Sequence, residues 1–142
     1  MRPGLAAGLR ATITAEVTDA DTAQTLGSGD VPVLGTPRLL ALAEAACAAA
    51  VAPQLDEGQT TVGTAVSLEH KRPSPVGARV EVEAELAGIE GRRLFFNFIA
   101  YGPRTGDEAV IGAGTVERML VDRDRFLRRV RGAGSRASAE GR

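Results

Sequence analysis

Apolar residues recur along this chain in two rhythms, and the change between them marks its elements. Residues 35–51 (GTPRLLALAEAACAAAV) are apolar almost without a break. Ala and Leu, both good helix formers, fill about four turns. Thr36 followed by Pro37 reads as the start of that helix. The Thr hydroxyl can accept an N–H of the first turn, and proline at the first helical position gives up no needed donor. Pro53 closes the pattern. The predicted helix is slim: Ala41, Ala43, Ala45, Ala46, Ala48, Ala49 and Ala50 surround Cys47, so a backbone can approach it closely. Glu44 alone breaks the apolar run, and a carboxylate placed there needs a partner or a task because burying it alone is costly.

On either side of the helix the spacing is two. Residues 11–18 (ATITAEVT) predict a first strand with Ile13, Ala15 and Val17 on one side. Residues 60–72 (TTVGTAVSLEHKR) predict a second, on which strict alternation sets Val62, Thr64, Val66, Leu68 and His70 on one face. Residues 78–87 (ARVEVEAELA) predict a half-exposed third, with Val80, Val82, Ala84 and Leu86 inward. Residues 93–101 (RLFFNFIAY) are apolar on both faces, which predicts a central strand. Residues 109–121 (AVIGAGTVERMLV) predict a fifth, with Gly112 and Gly114 on one face for close approach by the slim helix. Residues 19–35 read as a long loop of the kind that is often functional in compact domains. Residues 124–131 predict a short helix, and residues 132–142 read by composition as a disordered tail. One strand, a long loop, a buried helix and four strands in hairpin succession make an α+β domain over residues 1–131: an antiparallel five-stranded sheet wrapped around a central helix.

Composition narrows the partners. A net charge of −1 offers no basic field for nucleic acid. No apolar run approaches the ~20 residues of a membrane span, so no membrane is expected either. The opening MRPGLAAGLRATI is too broken by Gly and Pro to read as a signal peptide. A single cysteine excludes an internal disulfide, and a single histidine beside it excludes a His/Cys zinc cluster within the chain. No metal or other cofactor is expected, and the setting reads as reducing and cytoplasmic.

The segments GTPRLLALAEAACAAAVAPQLDEG, VGTAVSLEHKRPSPVGARVEVEAEL, IEGRRLFF and GAGTVERML, in this order and spacing within residues 33–121, resemble the hotdog-fold thioesterases, in which a sheet wraps a central helix. Within that superfamily they most resemble the fluoroacetyl-CoA thioesterase type. The resemblance implies a homodimer that hydrolyses a small acyl-CoA thioester to the free acid and coenzyme A. It also implies roles for five residues. Thr36 would be the catalytic hydroxyl, Glu44 the helix carboxylate and His70 the general base or acid. Gly63 would offer a backbone N–H near the thioester oxygen, and Arg118 would line the substrate site. In the fluoroacetyl-specific enzyme a lid segment before the Thr carries a phenylalanine. Here residues 29–34 read GDVPVL, with no aromatic side chain, which points away from selectivity for the fluorinated substrate.

The residues themselves support and limit these roles. His70 has an ordinary pKa suited to proton transfer near neutral pH, although a lone histidine at a strand end beside Lys71 and Arg72 can equally be solvated or structural. Thr36 serves as an N-cap in either case, at a helix end whose free N–H groups suit a developing oxyanion. Thr36 and Glu44 are separated by eight residues of helix, about 12 Å and about 80° of rotation. Either Glu44 acts through His70 or a water, or two subunits share a site. Arg118 can simply pair with Glu117 or another carboxylate, and Gly63 can be a bulge or a close-packing glycine. Cys47 reads as a buried small hydrophobe. Lys71, Arg72, Arg92, Arg93 and Arg104 are candidates for the coenzyme A phosphates and read as well as solvated surface. Two other functions stay open. A non-catalytic acyl-CoA binder has no need of Thr36, Glu44 and His70 together. A hotdog-type hydratase or dehydratase would want an Asp/His pair set differently.

Overall fold

The computed structural model describes residues 4–140. Strand β1 (Arg10–Glu16) is followed by a short helix α1 (Ala23–Leu26) and the long helix α2 (Thr36–Val51). Strands β2 (Gln59–His70), β3 (Arg79–Glu90), β4 (Arg93–Tyr101) and β5 (Val110–Asp122) come next, and helix α3 (Arg123–Glu140) ends the described chain. The five strands form one antiparallel sheet in the order β1-β3-β4-β5-β2. The strand read as apolar on both faces, β4, is the middle one, and the sheet wrapped on a central helix is the hotdog arrangement expected, but the last four strands are not in hairpin succession, since β2 pairs with β5 and not with β3.

Helix α2 buries Leu39, Leu42, Ala43, Ala46, Cys47, Ala50 and Val51, a stripe at spacings of three and four. That stripe shares one core with Val80, Val82, Ala84 and Leu86 of β3 and with Leu94, Phe96, Phe98 and Ala100 of β4. Burial of this kind contributes about 1.5–3 kcal/mol for each large side chain. The helix lies chiefly over β1 and β3 and reaches β2 and β5 far less. The same face of β2 is therefore open: Val66 is 47% exposed there. Cys47 is fully buried, and desolvation pushes its thiol up to about 12, which makes it an inert packing group. No helix among the described residues is long and apolar enough to cross a membrane.

Several expectations change. The helix cap is Gly35, and Thr36 is the first helical residue, with no side-chain cap. The hydroxyl of Thr36 is thus released from capping. The long loop is partly ordered: Asp21 Oδ2 accepts from the Thr18 N–H and hydroxyl at 2.8 and 2.9 Å, while Asp21 Oδ1 accepts from Arg38 Nε at 2.8 Å, tying the loop to the first turn of α2. Gly112 does meet the helix, since a Cβ there would press on Leu39 Cδ2, but Gly114 instead lies against the β2 backbone at Ser67. Helix α3 runs on as a helix past Arg131, through the segment whose composition reads as a loose tail; residues 141–142 of that segment lie outside the described residues. Strict alternation fails in β2. The register shifts between Gly63 and Ala65, so Thr64 is the extra residue of a bulge and does not share a face with His70.

Candidate active site

The fold brings the expected site residues together as two clusters. The first joins the start of α2 to the end of β2. Thr36 Oγ1 and His70 Nδ1 lie 2.8 Å apart. With the ring proton on Nε2, the Thr36 hydroxyl donates to Nδ1, the arrangement that primes a hydroxyl or an attached water for deprotonation. His70 Nε2 is buried and has no well-aligned hydrogen-bond partner among the described residues. Desolvation by burial lowers the His70 pKa, and a smaller effect of the Arg72 backbone works the other way. Burial thus favours the neutral imidazole, the form able to act as a base. At the helix start, the Arg38 and Leu39 N–H groups both point to the Gly35 carbonyl at 3.0 Å, and Pro37 has no N–H. Among the described residues that leaves the Thr36 N–H as the donor of the first turn without a backbone acceptor, fewer free donors than a generic helix end offers.

Thr36 and His70 open onto a cavity of about 320 Å³ lined also by Ala23, Val31, Val33, Leu34, Lys71 and Arg72. Its wall toward residues 29–34 is aliphatic. The size is at the small end for ligand pockets. Of the basic candidates, Lys71 and Arg72 border this cavity. Arg93 and Arg104 are engaged with Glu117 and Glu108 at 2.7 and 3.5 Å, and Arg92 lies in a separate groove against α3.

The second cluster is built on Glu44. Arg118 donates Nη1 to Glu44 Oε2 at 2.9 Å, Nε to Thr61 Oγ1 at 2.8 Å and Nη2 to the Thr61 carbonyl at 2.8 Å. Its side chain is only 11% exposed. The alternative of an Arg118–Glu117 pair is not what forms, because the two lie on opposite faces of β5. Gly63 stands opposite Arg118 in the ladder, and a Cβ there would overlap Glu44 Oε2. Thr61, which sequence reasoning missed, completes the seat. Its one sequence signal is that it lies two residues before Gly63 and so shares its face. Within one chain neither Thr36 nor His70 shares a hydrogen bond with Glu44 among the described residues. The described residues also include no group of three or more His, Cys, Asp or Glu side chains placed to hold a metal ion.

Comparison with known proteins agrees with the fold. A curated fluoroacetyl-CoA thioesterase of Streptantibioticus cattleyicolor is 39% identical over 99 residues, spanning 70% of this chain and 68% of that protein. The crystal structure of a point variant of the fluoroacetyl-CoA-specific thioesterase superposes with a TM-score of 0.81 at 33% identity, over 93% of this chain and 99% of that one. A hypothetical protein of Thermus thermophilus, described as a thioesterase superfamily member, superposes with a TM-score of 0.87 at 28% identity, over 98% and 99% of the two chains. Residues 17–124 match the sequence model of the fluoroacetyl-CoA-specific thioesterases, a span that holds both clusters, and the chain belongs to that family.

Proposed function

We propose that this protein hydrolyses small acyl-CoA thioesters, with Thr36 and His70 at the reaction centre and Glu44 supplied across a homodimer interface. The observation that carries the reading is the 2.8 Å contact between the Thr36 hydroxyl and His70 Nδ1 at the mouth of the small cavity. His70 Nδ1 takes the proton of the attacking hydroxyl, either that of Thr36 or that of a water held by it. The oxygen adds to the thioester carbonyl, and the negative charge that develops faces the Thr36 N–H of that subunit and the Gly63 N–H of the subunit that supplies Glu44. The C–S bond then breaks, and the imidazolium returns its proton to the departing coenzyme A sulfur. If Thr36 is the attacking group, an acyl-Thr36 ester remains, which water hydrolyses by the same proton path.

Two features support the dimer. Strand β2 ends the sheet with an unpaired edge 12 residues long, and such edges are normally covered. The helix also leaves Val66 and the Glu44 carboxylate at the open side of the same face, with the Glu44 side chain 33% exposed. A reducing cytoplasm suits both a free cysteine and an acyl-CoA substrate. Free thiol release from a panel of short acyl-CoAs tests the proposal. Wild type should turn over, and His70→Ala should lose roughly 10²–10⁴ in kcat, the usual range for a general acid–base group. Binding of acyl-CoA without thiol release by wild type would make the protein a carrier instead.

A further inference from the structure

We propose that Thr64, Glu117 and Arg93, on the face of the sheet away from α2, form a clamp that holds the bulge in β2 and so keeps His70 on the face of the sheet that meets Thr36. Thr64 and Glu117 are thereby positioning residues of the site. This rests on the reading of Thr36, His70 and Glu44 as parts of one reaction centre.

The argument begins with parity. Gly63 and His70 are seven residues apart, and on a regular strand an odd separation puts two side chains on opposite faces. Yet both face α2: a Cβ on Gly63 would meet Glu44, and His70 meets Thr36. The bulge resolves the conflict. Gly63 pairs with Arg118 and Ala65 with Glu117, so Thr64 is extra. Beyond it, Val66, Leu68 and His70 pair with Val116, Gly114 and Gly112, which in turn stand opposite the buried Phe96, Phe98 and Ala100 of β4. Were the same residues to run as a regular strand with no bulge, Ala65, Ser67 and Glu69 would take that face and His70 would point to the other side.

A bulge disrupts its ladder, and within its own chain β2 has one neighbouring strand, β5, to hold its register. The compensation comes from the outer face. Thr64 Oγ1 donates to Glu117 Oε2 at 2.7 Å and lies 3.2 Å from the Glu117 carbonyl. Arg93 Nη2 donates to the other carboxylate oxygen, Oε1, at 2.7 Å, and the guanidinium sits 5.1 Å above the Phe95 ring. Three adjacent strands are thus tied at the bulge through a single carboxylate. Both of its oxygens are engaged, and the Arg93 and Thr64 hydrogen bonds hold Glu117 below its ordinary pKa. None of the three residues lines the cavity at Thr36 and His70. Their influence runs through the backbone, since a slip of one residue would turn His70 to the opposite face.

The test compares Thr64→Val, Thr64→Ser and Arg93→Gln with wild type and His70→Ala. Thr64→Val should lower kcat about 10- to 100-fold, the scale expected for misplacement of a reacting group by about 1 Å, with KM nearly unchanged. Thr64→Ser should restore kcat, and Arg93→Gln should lower it in the same direction by less. The chain has one histidine, so the ring resonances of the untagged protein report on His70 alone. In Thr64→Val its titration should move from its lowered position toward the ordinary 6.5, and in Thr64→Ser it should not. A Thr64→Val variant with wild-type kcat and an unmoved histidine titration overturns the clamp, as does a loss that serine does not restore. If His70→Ala itself turns over normally, the reading of the site fails. If His70→Ala is inactive while Thr64→Val and Arg93→Gln are both normal, the clamp alone fails.

Discussion

Adding one methyl group at Gly63 should unseat Glu44. An ideal Cβ at that position overlaps Glu44 Oε2 and comes within 3.4 Å of Arg118 Nη1. Gly63 does not have positive φ, so alanine brings no backbone strain, and restricting the unfolded chain gains about 0.4–1 kcal/mol. Against this stands the 2.9 Å bond from Arg118 to Glu44. Bonds to charged groups contribute about 1.5–3 kcal/mol, and the partial exposure of Glu44 puts this one at the low end. The net destabilisation is therefore about 1 kcal/mol or less, a fall of roughly 2–5 °C in Tm. Activity should fall much further, by about 10²-fold, because the carboxylate must move by about 1 Å. Thiol-release kinetics and thermal unfolding of Gly63→Ala would be read beside Gly88→Ala, where a Cβ meets nothing within 4 Å and both readouts should stay near wild type. In a Glu44→Ala background position 63 has room, so adding Gly63→Ala should cost nothing more, and the cycle should show full coupling. Wild-type turnover by Gly63→Ala, or losses that simply add to those of Glu44→Ala, would show that Gly63 does not make room for the carboxylate.

Three further outcomes follow from the same geometry. Because burial lowers the His70 pKa from 6.5, the acid limb of kcat/KM should lie below pH 6.5 where burial dominates, and a limb above it would show that the Glu44 carboxylate of the other subunit outweighs burial. The folded chain also resists binding a proton at His70 that the unfolded chain accepts below that value, so stability should decline as pH falls below 6.5; His70→Ala should remove this part of the acid sensitivity in thermal melts. Residues 29–34 offer Val31, Val33 and Leu34 but no aromatic gate, so acetyl-CoA and fluoroacetyl-CoA should differ by no more than about tenfold in kcat/KM, the lower end of what a small change in an apolar pocket can discriminate. A preference of several orders of magnitude would show that another feature supplies the selectivity.

What the sequence revealed follows the strength of its local signals. The slim helix, the five strands and the central place of β4 were legible because periods of 3.6 and 2 were clear and Pro and Gly marked the ends. Thr36, Glu44, Gly63, His70 and Arg118 were legible as a set through the family pattern, but not which would meet which. The pairing of Arg118 with Glu44 depends on contact across 74 residues, and nothing local separates it from a pairing with the adjacent Glu117. The capping role assigned to Thr36 went to Gly35 because the loop behind it is held by Asp21, leaving the hydroxyl to His70. Strict alternation missed the bulge at Thr64, although a bulge was one reading of the adjacent Gly63, since a glycine inside a strand pattern is its usual sign. The odd separation of Gly63 and His70 could have exposed it, since both were nominated for one site.

In the proposed enzyme two subunits build one hydrolytic site, with Thr36 and His70 from one and Glu44 from the other, and mixing subunits would show it. His70→Ala and Glu44→Gln proteins, each inactive alone, would be unfolded together, refolded as a 1:1 mixture and assayed for thiol release from acetyl-CoA, with dimer formation checked by sedimentation. Random pairing of a two-fold dimer makes half the dimers mixed, each with one intact site of two, so activity should recover to about a quarter of wild type. A refolded, dimeric mixture that stays as inactive as its parents, while wild type treated in the same way regains full turnover, would contradict the account.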